Sequence, residues 1–223
     1  MTHFISDGAT GTMLRCLDPN IDLTVYDRHR LDLLGKIHLA YIDAGANFIT
    51  TDTIAAPLCH WHDLIDAART AADGKASLML SMHESGDFPL PEHIEKVDIL
   101  LLESIIDAKA ALKKIERLAE TYNKPIYVSF ASTNDTAAIA EICKIEKVNT
   151  IGLNCIDISE IHKGLKKIRE LTTKPMFAQP SVTTDITPHQ FAYAMKILQK
   201  QYRLILIGGC CGTTPEMIRL LAE

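Results

Sequence analysis

The chain has 223 residues, 47% of them hydrophobic and 23% charged, which is enough for one sizeable core. A net charge of −5 with no basic run argues against nucleic-acid binding. No stretch approaches a membrane span and the apolar run at 4–6 is too short for an export signal, so a cytoplasmic chain without a membrane partner is expected.

A first strand over 4–6 ends at Asp7-Gly8-Ala9-Thr10-Gly11-Thr12. That segment reads either as an ordinary turn or as a loop whose backbone N–H groups could hold a carboxylate. Leu33, Ile37, Ala40, Tyr41 and Ala44 fall at helical spacing and predict a helix over 29–44, with Gly45 as its stop. A second strand over 47–51 leads to Asp52 and Thr53, and a helix over 63–72 stops at Gly74. A third strand over 77–81 precedes an irregular segment, 82–87. The fourth strand, 97–102, is apolar apart from Asp98 and ends at Glu103. The clearest helix covers 105–122, with Ala108, Ala111, Leu112, Ile115 and Leu118 on one face.

Strands over 125–130, 150–153 and 175–178 then alternate with helices over 135–147, 159–171 and 187–202, the last with Pro188 in its first position. The run Leu204-Ile205-Leu206-Ile207 is the eighth strand. After Gly208-Gly209-Cys210-Cys211-Gly212, Thr213 or Thr214 followed by Pro215 and Glu216 opens a closing helix. Eight strand–helix units in one domain over 1–223 predict a compact α/β fold, the (β/α)8 barrel. An open doubly wound sheet would need glycine spacing after the first strand that is absent.

In such a barrel the site lies at the carboxyl ends of the strands. Those ends carry Asp7, Asp52-Thr53, His83-Glu84, Glu103, Asn154-Cys155, Gln179 and Cys210-Cys211. The six cysteines lack disulfide-framework spacing, so the thiols are expected to stay reduced and to favour metal over bridges. Neighbours in a regular strand point to opposite faces, and Gly208, Gly209 and Gly212 are expected to relax that limit for Cys210 and Cys211. Cys155 alone reads more readily as a packing residue; joined to the pair it would make three thiolates and one open position, the pattern of a catalytic zinc site. Cys16, Cys59 and Cys143 read as packing residues. His60, His62 and His83 read as solvated loop histidines rather than ligands. Glu103, directly after a buried strand, needs either a structural ion pair or a ligand cation.

Four stretches then resemble one family. They are Asp7-Gly8-Ala9-Thr10-Gly11-Thr12-Met13-Leu14, Leu100-Leu101-Leu102-Glu103-Ser104, Ile151-Gly152-Leu153-Asn154-Cys155 and Gly208-Gly209-Cys210-Cys211-Gly212-Thr213-Thr214-Pro215. Together they resemble the zinc-dependent homocysteine S-methyltransferases, with wording most like the homocysteine-binding module of cobalamin-dependent methionine synthases. The resemblance implies zinc on Cys155, Cys210 and Cys211, with the homocysteine sulfur in the open position. It also implies Asp7 and Glu103 at the substrate ammonium, the backbone at Gly8 and Ala9 at its carboxylate, and Thr53 lining the same pocket.

Three loops depart from the family. Residues 81–86 lack a Ser-x-Gly-Pro pattern, 51–54 lack Glu-x-Asn-Thr-Phe wording, and the loop after Phe130 is cut back. An open mouth of this kind suits a bulky donor, so the expected methyl source is methylcobalamin carried by a separate corrinoid or folate methyl-carrier protein. The rivals are a small donor such as S-methylmethionine and a non-catalytic zinc- and thiol-binding module.

Overall fold

The computed structural model describes residues 4–85, 93–183 and 185–223. Its elements run β1 (Phe4–Ile5), α1 (Thr10–Leu17), α2 (Arg28–Asp43), β2 (Phe48–Thr50), α3 (Trp61–Ala72), β3 (Ser77–Met82), β4 (Ile99–Ile105) and α4 (Ala108–Thr121). They continue with β5 (Ile126–Phe130), α5 (Thr136–Lys144), β6 (Val148–Asp157), α6 (Ile161–Leu171), β7 (Met176–Ser181), α7 (Pro188–Tyr202), β8 (Leu206–Ile207) and α8 (Pro215–Ala222). All eight strands are parallel, in the order β1-β8-β7-β6-β5-β4-β3-β2. The ring is completed between β1 and β2 by the Ser6–Phe48 bridge and by Asp7 N–H donating to the Phe48 carbonyl at 2.9 Å. The expected (β/α)8 barrel is therefore present.

Its crossovers are less regular than eight identical units. Two helices, α1 and α2, join β1 to β2, whereas only a 3-10 turn at Ile94–Lys96 is described between β3 and β4. Gly86 and Asp87 of the expected irregular segment lie outside the described residues. The sequence reading contains no α1, because Thr10, Gly11 and Thr12 are poor helix formers. Tertiary contacts supply what propensity lacks: Leu14 is fully buried, and Thr12 Oγ1 accepts from Gly212 N–H at 3.2 Å. Other helix starts follow their caps. Asp107 caps α4 and Asp135 caps α5, so both begin after the carboxylate. Thr187 and Gln190 form a full capping box around Pro188, and Thr214 caps α8.

Strand alternation sets up the site. Phe48, Met79, Ile99, Leu101, Phe177 and Leu206 form a compact cluster separate from the larger sheet–helix core, as inward side chains of a small barrel do. Two residues further along the same inward rows stand Thr50, Ser81, Glu103, Gln179 and Gly208. The barrel is thus apolar at its floor and polar at its carboxyl end. No helix among the described residues is long and apolar enough to cross a membrane.

Candidate active site

A cavity of about 450 Å³ opens at the carboxyl ends of the strands. Asp7, Gly8, Ala9, Thr50, Asp52, Glu103, Cys155, Gln179, Cys210 and Cys211 all border it. A larger hollow of about 790 Å³, on the opposite face, is bordered by His162, Lys166, Arg169, Lys174 and Arg203 and lacks such a mix of thiols and carboxylates.

The three expected sulfurs converge. Cys155, Cys210 and Cys211 offer sulfurs that all lie within 4.8 Å of one another, the only His/Cys/Asp/Glu group of this kind among the described residues. Cys155 should point the wrong way, because it follows Asn154, whose side chain reaches inward to Glu103. It reaches the cavity because its backbone adopts φ +55°, a left-handed conformation unusual for a non-glycine residue. A register shift in β6 between Asn154 and Asp157 marks the same bulge. The residue therefore lies inside an extended strand, not after one ending at Leu153.

The glycines around the cysteine pair act differently from expectation. Only Gly212 has positive φ, at +79°. Gly209 is needed for room, since a Cβ there would collide with the Thr213 side chain. Cys210 N–H donates to the Pro180 carbonyl at 2.8 Å, and the Cys211 carbonyl accepts from Val182 N–H at 2.8 Å, which fixes the turn against β7.

Cys155 and Cys210 bring their sulfurs into direct contact, with Cα atoms 5.6 Å apart, and the sulfur of Cys211 lies 4.0 Å from that of Cys210. Two side chains aimed at one point from the ends of β6 and β8, on either side of β7, satisfy the Cα spacing of a disulfide as well as that of a shared ligand site. Cys16 and Cys59 are exposed and so are not packing residues, whereas Cys143 is buried as expected. His60 stacks on Tyr26, and His83 pairs with Glu84 at 2.9 Å; neither joins the sulfur cluster.

Asp7 and Glu103 form the second half of the site. Thr50 donates to Asp7 twice, from its N–H at 2.7 Å and its hydroxyl at 2.9 Å. Glu103 accepts from the Ser81 hydroxyl and from Asn154 Nδ2 at 2.7 Å. Neither is in an ion pair among the described residues. Burial pushes the Asp7 carboxyl up to about 7, with the Glu103 charge adding to the rise, and burial raises Glu103 as well. Asp52 is engaged elsewhere, by the Arg30 guanidinium.

Two expected substrate contacts are placed otherwise. Thr53 is fully buried and does not border the cavity; its hydroxyl donates to the Ser81 carbonyl, while Thr50 and Thr51 take the lining positions. Ala9 borders the cavity, but its N–H already donates to Thr213 Oγ1 at 3.1 Å. The first turn of α1, at Thr10, Gly11 and Thr12, has no side-chain cap and borders the same cavity.

Comparison with known proteins decides the relationship. A profile described as homocysteine S-methyltransferase matches residues 4–83 and 91–223. The chain belongs to the homocysteine S-methyltransferase family. It is 24% identical to the methionine synthase of Mycobacterium leprae over 287 aligned positions, covering 98% of this chain and 24% of that protein. It is 29% identical to homocysteine S-methyltransferase 3 of Zea mays over 149 positions, 56% of this chain and 43% of that one. The chain thus spans about a quarter of the first relative and less than half of the second. The apo form of the homocysteine methyltransferase MmuM from Escherichia coli shares the fold, with a TM-score of 0.80 and 21% identity over 99% of this chain and 95% of that one. All four stretches that carry the family resemblance lie within the residues matched.

A pH experiment probes the buried acid of this family site. His38 on α2 is buried with Nδ1 unpartnered, and burial lowers its imidazole to about 4. A lowered histidine loses stability as pH falls from its unfolded value toward 4, because the unfolded state binds the extra proton. Asp7 works in the opposite sense: its raised carboxyl loses stability as pH rises from about 4 to about 7. The effects are on the order of 3 kcal/mol for His38 and 4 kcal/mol for Asp7, and they oppose each other across the shared window. Asp7→Asn is therefore expected to unmask the histidine, making the melting temperature fall more steeply than wild type between pH 6.5 and 4. Parallel profiles for the two proteins would show that Asp7 is not the raised group.

Proposed function

We propose that this chain catalyses methyl transfer to the sulfur of homocysteine, forming methionine. The observation that carries this reading is one cavity holding three converging sulfurs beside a buried and a half-buried carboxylate, Asp7 and Glu103, that have no ion-pair partner among the described residues. The relatives' names, methionine synthase and homocysteine S-methyltransferase, point the same way.

The sulfur set fits zinc. Tetrahedral ligation with Zn–S near 2.3 Å places sulfurs about 3.8 Å apart, and the three sulfurs here lie within 4.8 Å of one another. Cys155, Cys210 and Cys211 would hold it, in their reduced state. Zinc on three cysteinates, a site of net charge −1, supplies the environment that keeps a substrate thiol ionised at neutral pH.

The remaining work falls to the chain. Asp7 and Glu103 receive the substrate ammonium, whose positive charge favours their ionised forms. The uncapped first turn of α1 receives the carboxylate, because its N–H groups and dipole attract an anion. Gripped at both polar groups, the amino acid directs its sulfur toward the cysteines, and orientation replaces acid–base catalysis as the main source of acceleration. The sulfur supplies the electron pair for the new S–C bond as the bond between methyl and donor breaks.

The donor in this reading is a methyl-corrinoid on a separate carrier protein. The alignment with the Mycobacterium leprae relative runs over 287 positions against 223 in this chain, so the relative carries insertions that this chain lacks. Turnover measured with methylcobalamin or a methylated corrinoid protein, beside S-methylmethionine and betaine, is expected to give methionine with the corrinoid donors. Activity with the small donors alone would overturn the corrinoid assignment. Zinc and homocysteine binding without turnover on any donor would make the chain a thiol-binding module.

A further inference from the structure

Ser104 and Asn154 stand between the two halves of the site, and none of the roles above uses them. Ser104 follows Glu103 in β4 and, like Cys155, has left-handed backbone, with φ +58°. A register shift between Leu102 and Ile105 marks its bulge, the counterpart of the one at Cys155 in β6. Asn154 bridges the two. Its Nδ2 donates to Glu103 Oε2 at 2.7 Å and to Ser104 Oγ at 3.1 Å, and its Oδ1 accepts from Ser104 N–H at 2.8 Å. The amide orientation follows from these partners, because the reverse would set oxygen against carboxylate and NH2 against N–H. A hydroxyl has one hydrogen. With its oxygen already receiving the Asn154 amide, Ser104 directs that hydrogen to Cys155 Sγ, 3.3 Å away.

We propose that Ser104 and Asn154 are positioning residues that join the ammonium-binding carboxylate to the metal-binding sulfur. Asn154 holds Glu103 toward the cavity and orients the Ser104 hydroxyl, and that hydroxyl donates a hydrogen bond to Cys155 as a ligand. The inference rests on the zinc reading above. Partners of this kind set the direction and basicity of the ligand they touch, and losing one typically weakens metal binding about 10- to 100-fold. A hydrogen bond to a thiolate also draws electron density from it, which changes how strongly it donates to the metal. The two bulges and the amide clasp thus form one unit, so the amino-acid pocket and the sulfur cluster are positioned together.

The competing explanation is that the clasp merely secures a bulge, and glycine separates the two. Glycine adopts φ +58° without the Cβ penalty, so Ser104→Gly keeps the backbone while deleting the hydroxymethyl group, and Ser104→Ala deletes the hydroxyl alone. The experiment uses the whole chain with its thiols reduced. Zinc affinity is read by competition with a chromophoric chelator, and the cobalt-substituted protein is read by its thiolate-to-metal charge-transfer absorption. In Ser104→Gly, thermal stability is expected to match or exceed wild type, zinc affinity to fall about tenfold, and the cobalt band to move to longer wavelength. Ser104→Ala should show the same displaced band, which guards against a folding defect in either variant. Unchanged zinc affinity together with an unmoved band in both variants, in a wild type that binds both metals, would overturn the positioning role. A wild type that binds neither metal after reduction would instead overturn the zinc reading and take this inference with it.

Discussion

Replacing Cys210 by alanine is expected to abolish stoichiometric zinc retention and to lower methionine formation by at least about a thousandfold. The magnitude has two sources. A thiol near its ordinary pKa of about 8.5 is only a few per cent ionised at neutral pH, which alone costs roughly thirtyfold. Misplacing the sulfur by about an ångström costs about a hundredfold more. Fold stability should change little, because Cys210 is half-buried at the cavity wall rather than in the apolar core. Metal analysis of reduced wild type, Cys155→Ala and Cys210→Ala, with thermal melts of the same samples, checks the expectation. Equal zinc in all three proteins would remove the sulfur cluster from the mechanism.

The second large effect belongs to Glu103. Glu103→Gln keeps the shape and one oxygen that can still accept from Asn154, while its NH2 can donate to a turned Ser81 hydroxyl; it removes the charge that, in the proposed reading, faces the substrate ammonium. Losing one partner of a buried, hydrogen-bonded charge pair costs about 2–5 kcal/mol, so KM for homocysteine should rise about a hundredfold with a smaller change in kcat. Burial already raises this carboxyl in the free protein, so neutralising it should leave stability unchanged or improved. Zinc content should stay at the wild-type level. A variant with wild-type KM and full activity would place the ammonium elsewhere, with Asp7 alone as the remaining carboxylate.

The barrel was legible because its signals are local. Apolar runs, capping residues such as Thr187 with Pro188, and the helical spacing of 105–122 each act over a few residues. The grouping of Cys155, Cys210, Cys211, Asp7 and Glu103 was legible from strand-end position, and the structure brings all five to one cavity; the roles proposed for them come from the family resemblance. What escaped depends on parity and on distant contacts. Thr53 was expected to line the pocket, yet it is Thr50 that lies on the inward row that begins at Phe48. α1 forms on poor helix formers because Leu14 and the Thr12–Gly212 contact hold it, and Gly212 lies two hundred residues away. The left-handed conformations of Ser104 and Cys155 have no local signal, since neither is glycine, asparagine or aspartate. Ser104 could have been suspected only through the family wording that places it next to Glu103.

The plug of large side chains formed by Phe48, Met79, Leu101, Phe177 and Leu206 shuts the far end of the tube, so traffic runs through a single doorway. In the proposed reaction the amino acid must be seated before a carrier protein settles over that doorway. The methylated product can leave only after the carrier has withdrawn. In that reading, the order of arrival and departure follows from which end of the barrel is corked.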